Sequence, residues 1–140
     1  MSFLIEVISD ATRFRCAAGD TLLQAAMRSG VGLPYECNSG GCGTCKFELV
    51  EGDMHDAWPD APGRSESDRR RGRRLACQSI PGSNCRIKVR LDDACVPQVR
   101  PEITELRLLQ SREIASDLRE LTFTANRMAR FLPGQFAMLQ

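Results

Sequence analysis

Four of the seven cysteines have a spacing that suits a bound iron–sulfur cluster. Four residues separate Cys37 from Cys42, two separate Cys42 from Cys45, and 31 separate Cys45 from Cys77. The plant-type arrangement of [2Fe–2S] sites has three thiolates on one tight loop and a fourth from a distant segment. We therefore predict that these four cysteines bind a [2Fe–2S] cluster that passes single electrons. Such chemistry needs no acid, base or nucleophile, so the sequence nominates no catalytic residue.

The residues between the first three cysteines support this interpretation. Residues 38–44 read Asn-Ser-Gly-Gly-Cys-Gly-Thr and carry almost no bulk. Glycine lets the backbone wrap closely and adopt positive φ where a turn demands it. The loop N–H groups are then expected to point at the cysteine sulfurs, which stabilises negative charge and helps set a potential of about −400 mV.

Other metal or redox sites fit the cysteines less well. Structural zinc also uses four cysteines, but usually in two short knuckles, whereas Cys77 has no near neighbour except Cys85. A Rieske cluster requires two histidines, and His55 is the only one in the chain. A thioredoxin-like dithiol at Cys42 and Cys45 lacks the expected strand-to-helix setting. A zinc-stabilised interaction module stays open as the alternative function.

The remaining cysteines and the histidine have simpler interpretations. Cys16 lies on the apolar face of a predicted strand, and free cysteine is among the most often buried residue types. We expect Cys16, Cys85 and Cys95 to be interior residues without a chemical role. His55 lies in a polar stretch, where a lone histidine is usually solvated, and it is assigned no function.

The elements that position the cysteines begin with a hairpin and a helix. Residues 4–8 and 12–16 are rich in β-branched and aromatic residues and flank a short polar turn. Thr21 and Gln24 form a predicted capping box, followed by apolar residues at helical spacing, and Gly30 ends the helix.

Further along the chain, the periodicity is clear in two places only. Residues 46–50 and 86–91 are predicted strands, the second with cleanly alternating apolar and basic residues. Residues 35–44 are a loop, and residues 52–74 read as a long polar connection along the surface.

A domain boundary is predicted near two prolines. Pro97 and Pro101 favour an extended linker over a helix or strand interior. We divide the chain into residues 1–95, a linker 96–101 and a second segment 102–140. Predicted strands at 104–109, 118–125 and 136–139 are too few to enclose a core, so the second segment is interpreted as part of a domain.

Composition excludes several classes of partner. Nineteen basic residues face 18 acidic ones, which gives no reason to expect nucleic acid or a membrane as partner. The longest stretch without a charged residue, 75–85, is far shorter than the roughly 18 apolar residues of a membrane span. The N-terminus has no basic region typical of a secretory signal. A cytoplasmic, reducing compartment is therefore expected, where cysteines serve metal or redox chemistry.

The loop Pro34–Cys45 resembles the N-terminal ferredoxin domain of NADH-dependent reductases that serve bacterial multicomponent oxygenases. Residues 58–63, Trp-Pro-Asp-Ala-Pro-Gly, and 75–78, Leu-Ala-Cys-Gln, are similar to the reductases of toluene-type aromatic monooxygenases. The resemblance implies an α+β fold, with a β-grasp ferredoxin-like domain followed by the first strands of an incomplete flavin-binding β-barrel. It also implies FAD and NADH domains in a full-length protein, and an oxygenase (hydroxylase) component or its ferredoxin as partner.

In that family an Arg-x-Tyr-Ser motif contacts the flavin. Residues 131–136 resemble the barrel segment that precedes this motif, which the sequence lacks. This chain is therefore expected to bind neither FAD nor NADH, and whether it is an enzyme is left open.

Five arginines lie just before Cys77 in the sequence: Arg69, Arg70, Arg71, Arg73 and Arg74. Most charge runs are solvated loops, here with Asp68 and Glu66 as available ion partners. The alternative is a docking patch for an acidic electron partner, because opposite potentials steer transient redox encounters.

Overall fold

A computed structural model describes residues 1–135 and Ala137. The chain divides into two compact units, Met1–Pro101 and Glu102–Gln140. The first unit contains both segments that carry the four predicted ligands. Its described elements are strands β1 Ser2–Val7, β2 Thr12–Ala17, β3 Lys46–Glu51, β4 Met54–Asp56, β5 Arg73–Leu75, β6 Ser79–Pro81 and β7 Cys85–Lys88, with helices α1 Leu22–Arg28 and α2 Glu66–Arg70.

Five strands of the first unit form one mixed sheet in the order β2-β1-β7-β3-β5. Strands β1 and β7 are parallel, whereas the other neighbours are antiparallel. Strands β4 and β6 form a separate antiparallel pair. The expected α+β class is confirmed, and strand β5 lies at the opposite edge of the sheet from β2.

The first hairpin and the helix agree with the sequence pattern. Phe14 and Cys16 are buried while Arg13 and Arg15 are exposed, as the alternation on β2 requires. Helix α1 has Thr21 as its N-cap in a capping box with Gln24. Ser29 is the C-cap, and Gly30 follows with a φ of +72° that ends the helix.

The core lies between α1 and the sheet. Helix α1 buries Leu22, Leu23, Ala25 and Ala26. They join a cluster of apolar side chains from the central strands, among them Ile5, Val7, Phe47 and Ile87. The helix also anchors the segment before Cys77, because the backbone N–H of Leu23 donates to the carbonyl of Ala76 at 3.0 Å.

The prediction that residues 52–74 are a plain surface connection was wrong. The segment contains β4, the short helix α2 and the start of β5. Ala61 and Asp68 are buried within it, with 1% and 5% of their surface exposed. Elements of three to five residues are too short for a hydrophobic period to emerge, which is why the sequence showed none.

Two other expectations need correction. The last strand of the unit ends at Lys88 instead of residue 91, although Val89 is still buried. There the Val89 carbonyl accepts a hydrogen bond from the Ser9 hydroxyl at 2.7 Å instead of a strand partner. Cys95 is only partly buried, because it ends a single 3₁₀ turn, Asp93–Cys95, that lies just before the prolines.

The described part of the second unit is an antiparallel hairpin of β8 Leu106–Ala115 and β9 Leu118–Ala125. Strand β8 is longer than predicted, while β9 has the predicted bounds; the strand expected at 136–139 lies outside the described residues except for Ala137. Apolar side chains such as Leu108, Leu109 and Ile114 are more than half exposed.

None of the helices described is both long and apolar enough to cross a membrane.

Candidate iron–sulfur site

Three of the predicted ligands lie on the loop that leads into β3. Cys45 directly precedes the strand and is 3% exposed, so it belongs to the edge of the core. Cys37 is half-buried and Cys42 is exposed. The loop therefore presents one thiol to the interior and one to the surface.

Cys77 reaches this loop through the pairing of β3 with β5. The register places Lys46 opposite Leu75, and the Ala76 N–H donates to the Cys45 carbonyl at 2.9 Å. Cys77 follows and is 5% exposed. The antiparallel ladder thus closes a separation of 31 residues in sequence and sets Cys77 beside Cys45.

The Cys45 and Cys77 side chains interact directly. The Cys45 thiol donates a hydrogen bond to the Cys77 sulfur, which lowers the pKa of Cys77 to about 7. The same contact, together with burial, raises the pKa of Cys45. The amide of Gln78 and the backbone N–H of Gly40 also favour the Cys77 thiolate, the Gln78 Nε2 from 3.7 Å. Thiolates are the form that binds iron, so Cys77 is prepared for this role.

The loop N–H groups point at sulfur, as expected from the glycine-rich sequence. The N–H groups of Ser39 and Cys42 each donate to the Cys37 sulfur at 3.4 Å. The N–H of Thr44 donates to the Cys42 sulfur at 3.4 Å. The Ser39 hydroxyl, followed by these two backbone groups, lowers the pKa of Cys37 to about 6.

Two glycines of the loop have backbone conformations that other residues rarely adopt. Gly40 has a φ of +85° and Gly43 a φ of +77°. A Cβ on Gly43 would stand 2.4 Å from the Gly63 carbonyl oxygen, and one on Gly63 would stand 2.6 Å from the Gly43 nitrogen. The Gly63 N–H donates to the Gly40 carbonyl at 2.8 Å. The two backbones therefore touch, with no room for side chains between them.

Residues 57–64 pack against one side of the cysteine loop, and we call this segment the 57–64 wall. Trp58 and Ala61 pack against Gly40, since a Cβ there would lie 3.2 Å from Trp58 Cε3 and 3.1 Å from the Ala61 Cβ. The sequence did not indicate this role. The motif at 58–63 stood out only through its resemblance to a family.

An ion-pair network fixes this wall to the sheet. Asp56 accepts from Arg64 at 2.9 Å, from Arg74 on β5 at 2.7 Å and from the Ser79 hydroxyl at 3.1 Å. Arg64 also donates through Nε to the Arg73 carbonyl at 2.7 Å. Both ends of the 57–64 wall are thereby tied to the segments that flank Cys77.

The residues present fit a [2Fe–2S] cluster, whose plant-type ligands come from one loop and one distant segment. Among residues 1–135 and 137, no three His, Cys, Asp or Glu side chains are grouped as around a single ion. Sulfur ligands, N–H donors on sulfur and a glycine-lined loop are the features that such clusters use.

The arginine run is mostly paired, as the solvated-loop interpretation expects. Arg73 lies 3.7 Å from Asp68, Arg69 lies 3.2 Å from Asp60, and Arg74 holds Asp56. Glu66 forms no ion pair within the described part of the chain. Arg70 and Arg71 are exposed and likewise have no acidic partner there.

The other cysteines lie apart from this arrangement. Cys16 and Cys85 are buried as expected, and burial raises the pKa of both thiols, that of Cys16 to about 11. His55 is exposed on β4, as expected for a solvated histidine.

Fold and site together define a small α+β domain in which the β3–β5 pairing brings Cys77 beside the glycine-rich cysteine loop. A family model described as the 2Fe-2S iron-sulfur cluster binding domain matches residues 5–82. The chain belongs to this family, whose members bind a [2Fe–2S] cluster, and nothing supports the zinc alternative.

Curated relatives extend the similarity beyond residue 82. The chain is 45% identical over 126 residues to a ferredoxin–NAD(P)(+) reductase of Metapseudomonas resinovorans, covering 89% of this chain and 38% of the relative. It is 38% identical over 133 residues to the ferredoxin–NAD(+) reductase component of an alkene monooxygenase system of Xanthobacter autotrophicus, covering 94% and 40%. The chain spans about two fifths of the length of these relatives.

A solved structure is also similar to this chain. The ferredoxin reductase in carbazole 1,9a-dioxygenase is 41% identical to this chain and superposes with a TM-score of 0.92. The match covers 97% of this chain and 42% of that one.

Proposed function

We propose that Cys37, Cys42, Cys45 and Cys77 ligate the [2Fe–2S] cluster, and that this chain is the electron-transfer part of an oxygenase-system reductase. The observation that carries the ligand assignment is the β3–β5 pairing, which brings Cys77 beside Cys45 at the base of the glycine loop. When bound, the cluster accepts and releases one electron at a time.

The chain's own residues have separate tasks in this proposal. Ser39, Cys42, Thr44 and Gly40 supply N–H donors that stabilise negative charge on the thiolates. The 57–64 wall covers one side of the loop. Cys42 is exposed, whereas Cys45 is buried at the edge of the core.

The partner proposed is an oxygenase component or its ferredoxin, working in the cytoplasm. Support comes from the relatives, which are reductases of alkene monooxygenase, naphthalene dioxygenase and related systems. The first unit is proposed to be a β-grasp domain, which its mixed sheet with one crossing helix supports.

The second unit is proposed to be the first strands of a flavin-binding barrel. Its hairpin keeps most apolar side chains exposed, as expected for strands whose neighbours lie further along a longer chain. FAD and NADH would then act only in the full-length protein, and this chain alone would bind neither.

The test is reconstitution with iron and sulfide. We expect visible bands between about 400 and 500 nm and iron and sulfide in equal amounts, two of each per chain. Cys77→Ser should abolish or shift this spectrum, while the matched control Cys95→Ser, a cysteine outside the site, should leave it unchanged. A colourless chain that binds zinc in place of iron would refute the proposal.

A further inference from the structure

The surface beside the cluster loop carries more positive charge than its acids can neutralise. Asp56 is shared by Arg64 and Arg74, and Asp68 is shared by Lys46 and Arg73. Each carboxylate compensates only one of its two cations. These two ion-pair groups therefore each retain a net positive charge.

Two further arginines add to this excess. Arg70 ends α2 and Arg71 follows it, both exposed, and neither forms an ion pair within residues 1–135 and 137. Residues 56–74 contain six arginines and four acidic residues, whereas the whole chain has a formal net charge of only +1. A local field of one sign attracts a partner of the other sign.

A partly exposed aromatic side chain lies in the segment that α2 contacts through Arg69. Trp58 is 47% exposed although its ring packs on Gly40 of the cluster loop. Arg69 on α2 donates to the carbonyl of Pro59, the next residue, at 2.6 Å. The segment that carries Trp58 is therefore attached both to the loop and to α2. Half-exposed tryptophan and arginine are the residue types most enriched at the energetic centres of interfaces.

We propose that Trp58, Arg70 and Arg71 form the docking surface for an acidic redox protein that takes electrons from this site. The inference rests on the proposed function and names the partner's surface chemistry. In the encounter, the reduced site loses one electron and the partner gains one, with no bond or proton transferred. Arg73 and Arg74 are excluded from direct docking, because both are engaged by carboxylates within the fold.

Arg70 and Arg71 stand at the C-terminal end of α2, and both are exposed. Asp68, on the same helix, is buried and bonded to Ser65 and Lys46. The buried acid anchors the helix to β3 while its C-terminal arginines stay in solvent. Helix α2 and the residue after it thus carry one charged residue that stabilises the fold, Asp68, and two that remain available to a partner, Arg70 and Arg71.

The experiment uses the reconstituted chain, chemically reduced, with plant plastocyanin as an acidic one-electron acceptor and cytochrome c as a basic one. Stopped-flow rates over a salt series, and equilibrium binding of oxidised plastocyanin by calorimetry, are measured for Arg70→Glu/Arg71→Glu. The matched control is Arg13→Glu/Arg15→Glu on β2, which makes the same charge change at the opposite edge of the sheet.

We expect the Arg70→Glu/Arg71→Glu variant to reduce plastocyanin about tenfold more slowly at low salt, to bind it more weakly and to lose most of the salt dependence. Its rate with cytochrome c should rise. Trp58→Ala should slow plastocyanin at high salt as well, and its measured reduction potential separates a docking defect from a changed site.

Equal slowing in the β2 control would show a net-charge effect and overturn the docking site, as would unchanged rates in the arginine variant. Absence of the visible cluster spectrum in the unmodified chain would instead refute the proposed function.

Discussion

Gly63→Ala should loosen the cluster loop without touching any cysteine. A Cβ at this position would stand 2.6 Å from the Gly43 nitrogen and 2.7 Å from the Gly40 carbonyl oxygen. Both are backbone atoms, so neither can rotate away as a flexible side chain would. The φ of Gly63 lies outside the left-handed region, so the effect tests close approach alone.

The expected cost follows from overpacking. Forcing a methyl group into such a contact typically costs about 1–3 kcal/mol. If residues 57–64 move away from the cysteine loop, loss of the Gly63 to Gly40 hydrogen bond adds about 1 kcal/mol. For a unit of this size, a cost of 1–3 kcal/mol corresponds to a fall in melting temperature of roughly 5–20 °C.

The measurement is loss of visible absorbance on heating the reconstituted chain at a fixed scan rate, together with the rate of iron release to a chelator. Gly82→Ala is the matched control, because a Cβ there would meet only atoms of Asp53 at 3.8 Å. Gly63→Ala should bleach earlier and release iron faster than both the control and the unmodified chain. Equal bleaching temperatures and equal iron-release rates in the two variants would refute the close contact of Gly63 with the cysteine loop.

Three further variants test the scaffold. The Ser65 hydroxyl and Lys46 lower the pKa of Asp68, so its stabilisation is present above the unfolded value of about 3.9 and is lost as pH falls from there towards the lower folded value. Asp68→Asn should make the urea midpoint fall less steeply than in the unmodified chain between about pH 4 and pH 2, and an equally steep fall would contradict this. Thr21→Ala should cost about 1 kcal/mol in urea unfolding through the lost cap, whereas no change would show that the cap is unimportant. Asp56→Ala should cost about 3 kcal/mol in the same assay, because Arg64 and Arg74 keep their charges without the acid; a loss under 1 kcal/mol would count against the network.

The parts of the fold that could be predicted are those with local signals. Thr21 and Gln24 three residues apart specify a capping box whatever surrounds them, and the structure contains it. Alternation on β2 separated Phe14 and Cys16 from the exposed arginines. The cysteine spacing is also a local signal for three of the proposed ligands, since a tight loop must bring them near each other.

The wall at 57–64 could not be predicted because its partners are distant in sequence. Gly63 contacts Gly40 and Gly43 across some twenty residues, and nothing in a Pro-Gly pair distinguishes a loop that packs on a site from one that faces water. The same holds for Asp56, which gains its importance from Arg74 on another strand. Such contacts depend on the β3–β5 register.

The arginine run shows why charge in sequence does not translate directly into charge on a surface. The five arginines lie within six consecutive positions, and residue type does not distinguish them. By distance from Cys77 in the sequence, the best placed to attract a partner would be Arg73 and Arg74. Both instead lie on β5, where Asp68 and Asp56 hold them. Arg70 and Arg71 are further from Cys77 in sequence, but α2 ends there and leaves them in solvent. A charge that is already paired contributes little to long-range attraction. Arg70 and Arg71 at the end of α2 should therefore control the rate of partner association, whereas Arg73 and Arg74 on β5 should contribute to the stability of the fold.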